Sequence, residues 1–289
     1  MVISATAMAA TVSLSAGSRT DVGRKRTTNE DSVLALAPVF IVADGMGGHE
    51  AGDLASDAVV TQFLPLVGRN DVTAEEVATA VERTHAAVRV IAAETTRGAG
   101  STLTGVVLVT QSGRPCWLVL NIGDSRVYRL VGNSLAQLTV DHSLAQEMVA
   151  AGTLKPEDVA RFARRNVITR AVGAPDSPAD YWLYPVTTGE RLLLCSDGLS
   201  GELSDETIRA GLTLGGGTQQ TADLLLAQAL ERGGRDNVSL IVIDVVAGGE
   251  SASGGMSTAS LLSTDDATVD VRLGDTQEVP GRRGRPRAT

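Results

Sequence analysis

Aromatic side chains are scarce in this chain. Three Phe, three Tyr and two Trp make up 3% of its 289 residues. The core must therefore be filled mainly by Val, Leu, Ile and Ala, and because Val and Ile recur in short runs, much of it should be sheet. Cysteine is scarcer still. Cys116 and Cys195 each sit in an apolar run, one leading into WLVL and the other ending RLLL. They read as two buried, reduced thiols, which excludes a disulfide framework and any zinc-type cysteine spacing. No stretch approaches the roughly 20 apolar residues that a membrane-spanning helix needs. The opening MVISATAMAATVSLS has no basic n-region and no long apolar h-region. It alternates like a strand and not like a secretory leader, so the expected compartment is the cytoplasm, with no membrane partner.

Positive charge is also in deficit: 25 Lys and Arg stand against 34 Asp and Glu, a formal net charge of -9. A chain of this sign gains little from a polyphosphate backbone, so nucleic acid is not expected as a partner. Acidity serves solubility, and it also suits a protein that gathers carboxylates around cations.

What is present is a folded pattern up to about residue 246, then a change of composition. From 247 to 289 the chain is rich in Gly, Ser, Thr, Asp and Arg and loses apolar periodicity, which predicts a disordered tail. Within 1–246, apolar runs predict strands at Val2–Ser15, Ser32–Ala43, Ser101–Thr110, Pro115–Asn121, Arg126–Val131, Tyr181–Val186, Arg191–Cys195 and Val238–Val246. Helical spacing appears at Asp53–Leu66, Ala74–Ala93, Asp205–Leu212 and Thr221–Glu231. Thr73 and Glu76 form a capping-box signature, and Ser204 is placed to cap the third helix. Strand–helix–strand repeats are few, which favours a pair of antiparallel sheets with helices packed outside over a doubly wound parallel sheet. Residues 141–180 carry Gly, Pro and charge and read as a helical excursion.

Four acidic segments stand out: Arg26-Thr27-Thr28-Asn29-Glu30-Asp31; the apolar run into Asp44-Gly45-Met46-Gly47-Gly48-His49; Leu192-Leu193-Leu194-Cys195-Ser196-Asp197-Gly198; and Arg235-Asp236-Asn237-Val238-Ser239. In two of them an apolar strand runs into Asp-Gly, and Asp236 just precedes a strand. Carboxylates at strand ends project from one sheet edge on rigid supports. The glycine is expected to let the backbone turn sharply. A single Asp-Gly is an ordinary turn. Several together, with no His or Cys cluster, point to hard cations such as Mg²⁺ or Mn²⁺, and two such ions about 3.5–4 Å apart can activate water against a phosphoryl group.

Taken in order, R-x-x-N-E-D, V-A-D-G-M-G-G-H, G-D-S-R, S-D-G-L and R-D-N-V-S resemble the metal-dependent (PPM, type 2C) serine/threonine protein phosphatases, in particular the bacterial branch. The resemblance covers roughly residues 5–246. It implies an α+β fold, a four-layer αββα sandwich of two antiparallel sheets flanked by helix pairs, with two divalent cations (Mn²⁺ or Mg²⁺) at one end. It further implies that Asp44 bridges the cations, that Glu30 and the Gly45 carbonyl complete one site, and that Asp197 and Asp236 bind the other. Asp31 and Asn237 would orient ligands or water from behind, and Arg26 would grip the substrate phosphate. Asp124, in Gly123-Asp124-Ser125-Arg126, matches a position that helps hold a third, weaker cation, and it serves equally as a hairpin turn residue. Residues 141–172 would form a flap that recognises substrate.

One departure concerns the leaving group. Many eukaryotic members place a His after the second motif's Asp-Gly, where this chain has Met46; His49 follows three residues on. The resemblance implies a monomer acting on phosphoprotein substrates, among them a Ser/Thr kinase and its targets. Two other readings fit the same residues: a non-catalytic phosphatase-like binding module for phosphoproteins, and a two-metal hydrolase of phosphodiesters or small phosphates.

Overall fold

The computed structural model describes residues 12–47 and 51–251. Along the chain run β1 (Ser13–Asp21), β2 (Asp31–Leu36), β3 (Val39–Gly47), α1 (Ala51–Phe63), α2 (Ala74–Glu94), β4 (Ala99–Ser101), β5 (Leu103–Gln111), β6 (Arg114–Ile122), β7 (Arg126–Val131) and β8 (Ser134–Gln137). Then follow α3 (Leu144–Ala150), β9 (Asp180–Pro185), β10 (Arg191–Cys195), α4 (Asp197–Ser200), α5 (Asp205–Leu214), α6 (Thr218–Arg232) and β11 (Val238–Ala247). One sheet has the order β1-β11-β10-β7-β8 and the other β2-β3-β5-β6-β9, with the short β4 paired to β3; every ladder is antiparallel.

The sheets stack face to face, and each outer face is covered by helices, so almost every strand position has an apolar neighbour. The period-2 geometry divides one apolar run between two cores. Phe40 and Val42 point into the layer between the sheets, where they meet Trp117, Leu192, Leu194, Ile241 and Ile243. Val39, Ile41 and Ala43 point the other way, against Val59, Phe63, Val77 and Val88 of α1 and α2. On the opposite sheet Leu193, Cys195, Leu240 and Val242 pack against Ile208, Leu212, Leu225 and Ala229 of α5 and α6. The result is an α+β, four-layer αββα sandwich. Both cysteines are free and buried. The one close aromatic pair among the described residues, Phe40 and Trp117 at 6.3 Å between centroids, lies in the middle layer, and Trp117 Nε1 donates to the buried Glu190 carboxylate at 2.9 Å.

Several boundaries differ from the sequence expectation. The first strand is Ser13–Asp21 and not Val2–Ser15, because it pairs over its whole length with β11; residues 2–11 lie outside the described residues. Ser32–Ala43 is a hairpin of β2 and β3 and not one strand. The chain turns at Ala37-Pro38, where proline supplies no ladder donor. The first helix stops at Phe63, since Pro65 has no N–H to continue the α-helical bonding; a single 3₁₀ turn, Leu64–Leu66, follows. The expected strand at Ser101–Thr110 breaks at Thr102. The last helix begins at Thr218, a turn earlier than expected, with Gln220 Oε1 accepting from the Gly217 N–H at 3.1 Å. The Thr73/Glu76 capping box and the Ser204 cap are both formed. Past β11, Glu250 exchanges main-chain hydrogen bonds with Val186 and Thr188; the tail from 252 lies outside the described residues.

The middle layer should be the least forgiving. Trp117→Ala empties a fully buried site and leaves Glu190 without its indole donor, so unfolding in urea should show a loss of about 3–5 kcal/mol.

Candidate active site

Asp31 and Asp44 are opposite each other in the β2–β3 ladder. Asp44 lies inside β3, not at its end. There β3 changes partner, pairing with β5 up to Val42 and with β4 from Gly45. Thr102 fills the gap: its N–H donates to the Asp44 carbonyl at 2.8 Å, and its Oγ1 accepts from the Asp44 N–H at 2.9 Å. Ser125 bonds Thr102 Oγ1 at 2.8 Å. Asp197 opens α4 directly after β10, and Asp236 sits just before β11. Those neighbouring strand ends are tied by Ser196 N–H to the Ser239 carbonyl and Ser239 N–H to Ser196 Oγ, both 3.0 Å. Asp124 lies in the β6–β7 turn.

Glu30, Asp44, Gly45, Asp124, Asp197, Asp236 and Arg26 line one cavity of about 370 Å³. Asn237 reaches back beneath it. Its Oδ1 accepts from the Glu30 N–H at 2.9 Å, and its Nδ2 donates to the carbonyls of Val22 (3.0 Å) and Thr28 (2.9 Å), which pins the loop that carries Arg26 and Glu30. Arg26 Nη2 bonds Asp236 at 2.7 Å. Asp31 is buried behind the cavity wall; Oδ2 accepts from Ser196 Oγ at 2.9 Å, and Oδ1 is buried with no hydrogen-bond partner.

The glycines act differently from the expectation of sharp turns. Neither Gly45 nor Gly198 takes the left-handed backbone. What they supply is room. A Cβ on Gly45 would stand 1.9 Å from the Gly52 carbonyl oxygen, and one on Gly198 would stand 1.8 Å from that of Asn237. Any side chain there would push β3 away from α1, or α4 away from the segment leading into β11.

Five carboxylates in one pocket repel. Two unit charges 4 Å apart at an effective dielectric near 20 interact by about 4 kcal/mol. Burial, then the charges of Asp197 and Asp236, push Asp31 up to about 7 despite its serine hydrogen bonds. Burial and the charges of Asp197 and Asp141 push Asp124 up to about 7 as well. Asp44 is raised well above the ordinary carboxylate range by burial and by Asp31, Asp197, Asp124 and Asp236. Asp197 is raised by burial and by Asp236. Glu30 is raised by burial against the opposing pull of Arg26. The donor set is all oxygen, one buried carboxylate oxygen lacks a partner, and the cluster carries excess negative charge. Hard cations fit it. Among the described residues no three His, Cys, Asp or Glu side chains stand close enough together to hold one ion by themselves.

A second cavity, of about 590 Å³, adjoins the first and shares Asp124, Asn166, Asp197 and Asp236 with it. One wall belongs to the excursion between β8 and β9 (Ala145, Pro156, Val159, Arg165), and the other to residues 197–202 and Arg235.

The protein phosphatase 2C family model matches residues 24–229. The chain belongs to the protein phosphatase 2C family. The serine/threonine phosphatase Stp of Listeria welshimeri serovar 6b is 34% identical over 240 residues, which cover 78% of this chain and 94% of that one. The crystal structure of the Mycobacterium tuberculosis serine/threonine phosphatase PstP/Ppp superposes with a TM-score of 0.77 at 34% identity, covering 82% of this chain and all of that one. The catalytic domain of a serine/threonine protein phosphatase PstP in complex with two manganese ions superposes with a TM-score of 0.74 at 33% identity, over 82% of this chain and all of that domain.

Within this phosphatase 2C fold, every site residue singled out from the sequence reaches the cavity or the shell directly behind it. Met46 lines the cavity; His49 lies outside the described residues. Sequence reasoning missed Thr102, Ser125, Ser196, Ser239 and Gly52. Ser196 and Ser239 stood inside the quoted motifs, so their hydroxyls could have been suspected; nothing in the sequence marks Thr102.

The raised carboxylates set a pH dependence. Asp31 and Asp124 move from the ordinary 3.8 to about 7 in the fold. Between those values the folded chain holds protons that the unfolded chain has lost. Cation-free protein should therefore lose stability as pH rises from about 4 to about 7. Thermal unfolding in EDTA and in Mn²⁺ checks this: the Mn²⁺-induced rise in Tm should be larger at pH 8 than at pH 5, and equal rises would contradict it.

Proposed function

We propose that the protein is a metal-dependent serine/threonine protein phosphatase that hydrolyses phosphoserine and phosphothreonine directly. The observation that carries the reading is the convergence of Glu30, Asp44, Asp124, Asp197 and Asp236 on one cavity together with an arginine fork, Arg26. In this reading Asp44 is shared between two divalent cations, Mn²⁺ or Mg²⁺. Glu30 and the Gly45 carbonyl complete one site, Asp197 and Asp236 the other, and Asp124 belongs to a third, weaker one. When bound, the cations supply a water of lowered pKa and offset charge on the phosphoryl oxygens.

The chain's own residues do the rest. Asp31 stays behind the ligands and holds their orientation through Ser196. Asn237 keeps Glu30 and Arg26 in register. Arg26, bonded to Asp236 here, presents its planar fork to two phosphate oxygens once a cation claims that carboxylate. No histidine lines the cavity among the described residues, and burial pushes the Cys195 thiol to about 12, away from nucleophilic chemistry. Residues 141–172 act as the flap, and the adjoining recess holds the peptide around the phosphoresidue. The partners are phosphoproteins, with a Ser/Thr kinase and its targets foremost, met in the cytoplasm by a monomer made of residues 1–246. No helix among the described residues is long and apolar enough to cross a membrane. A binding module without catalysis has no need of a complete acidic set, and here every one of those carboxylates is in place.

Three measurements test this. Phosphopeptide hydrolysis titrated with Mn²⁺, Mg²⁺ and EDTA should show strict cation dependence and outrun bis-para-nitrophenyl phosphate turnover; faster diester turnover would favour the phosphodiesterase reading. Asp44→Asn should lower kcat/KM by about 1000-fold or more, ~4 kcal/mol of transition-state stabilisation, with the fold intact. Arg26→Ala should raise KM for a phosphopeptide by about tenfold and change kcat less; an unchanged KM removes Arg26 from the site.

A further inference from the structure

We infer that His142 is a positioning residue of this site: ring and main chain together clamp Gly123, which fixes Asp124 directly and, through Thr102, the backbone of Asp44. The inference rests on the reading of Asp124 and Asp44 as cation ligands.

His142 is 5% exposed and lies where the chain leaves β8 for the flap. Its main-chain N–H donates to the Gly123 carbonyl at 2.9 Å, and Asn121 Nδ2 donates to the same oxygen at 3.0 Å. The Gly123 N–H donates to His142 Nδ1 at 3.1 Å. Both polar groups of one peptide unit are thus occupied, at a residue with φ +104°, a conformation open to glycine. Nδ1 accepts there, and Nε2 faces Asp180 Oδ2 at 3.0 Å, with Arg170 Nη1 at 3.2 Å from the same nitrogen. Asp180 Oδ1 accepts from Arg170 at 2.8 Å, and although burial alone would raise it, the His142 and Arg170 bonds hold this carboxyl below its ordinary value. At the flap's return, the Thr169 N–H donates to the His142 carbonyl at 2.8 Å.

The far side of Gly123 is equally confined. A Cβ there would stand 2.7 Å from Thr102 Cγ2, and Thr102 is the residue that holds both main-chain groups of Asp44. A continuous series of contacts therefore runs from Asp180 through His142, Gly123 and Thr102 to Asp44, with Asp124 attached beside Gly123. A shift of Gly123 by a few tenths of an ångström moves one carboxylate and presses on the support of another. The donor–acceptor sense of the ring, and not its bulk, sets this geometry.

The two amide substitutions separate the two ring nitrogens. His142→Asn puts an acceptor where Nδ1 stands and can still take the Gly123 N–H. His142→Gln puts its amide near Nε2, keeps Asp180 and abandons Gly123. Calorimetric titration of Mn²⁺ into the cation-free protein, run beside phosphopeptide kcat and KM against Mn²⁺, should find the Asn variant within about twofold of wild type. The Gln variant should bind Mn²⁺ about fivefold or more weakly, the affinity equivalent of one lost hydrogen bond, with the peptide KM at saturating Mn²⁺ less affected. Equal behaviour of the two variants, or wild-type affinity in the Gln variant, would overturn the inference. Should both unfold, Asp180→Ala frees the ring and should weaken Mn²⁺ binding by about threefold or more; unchanged affinity there overturns it too. Wild-type protein that binds no Mn²⁺ would fail at the earlier step, the cation reading itself.

Discussion

Repulsion among buried carboxylates is the constraint around which this molecule is organised. Glu30, Asp44, Asp124, Asp197 and Asp236 share a cavity and Asp31 lies behind it, so in the cation-free chain each negative charge raises the cost of the next. A flexible loop would relieve that strain by letting the side chains drift to solvent. Here Asp44 lies within β3, and Glu30, Asp124, Asp197 and Asp236 each stand within two residues of a strand end, so they cannot drift in that way. The apolar layers on either side of each sheet hold the strand ends fixed, and the chemical potential of the site is what that rigidity preserves. Binding of protons or cations relieves that repulsion.

The supports of the site consist of small groups. Gly45 and Gly198 leave space for carbonyl oxygens that any Cβ would strike. The Ser196 hydroxyl ties the neighbouring strand ends of β10 and β11, and the Thr102–Ser125 hydroxyl bond joins one sheet to the other. Asn237 does the same for the loop that brings Glu30 and Arg26. Each is worth about 1 kcal/mol in net stability, yet each fixes a carboxylate to within a fraction of an ångström, and the coordination of a hard ion depends on that. The His142 clamp on Gly123 extends the same construction to Asp124 and to the base of the flap.

The two cavities meet at Asp124, Asp197 and Asp236, so the carboxylates that would hold cations also form the floor between the phosphate pocket and the wider recess. That wider recess has one wall from the core and one from residues 145–165. The cavity carboxylates sit on or within two residues of buried strands, whereas residues 145–165 are held mainly by local helical turns and by the return at Thr169.

The sequence by itself singled out the residues that gather at the acidic cavity and most of the elements that bear them. Motif order carried Arg26, Glu30, Asp44, Asp197 and Asp236, and capping residues marked the starts of α2 and α5, because those signals are local and depend on side-chain type and spacing. The expected single strand at Ser32–Ala43 and the turn role given to Gly45 failed because each depends on what the neighbouring backbone does: the chain doubles back at Ala37-Pro38, and Gly45 packs against Gly52 of α1. β3 changes from β5 to β4 at Asp44 because Thr102 intervenes, and Gly45 must be glycine because Gly52 presses on it, a contact that sequence spacing does not encode. Likewise His142 reads as a lone histidine until the fold sets its ring between Gly123 and Asp180. Only the tertiary structure decided these matters, since close approach and hydrogen-bond partnership are properties of pairs, and the members of these pairs meet only when strands pair, helices pack on the sheets and the loops close over their ends.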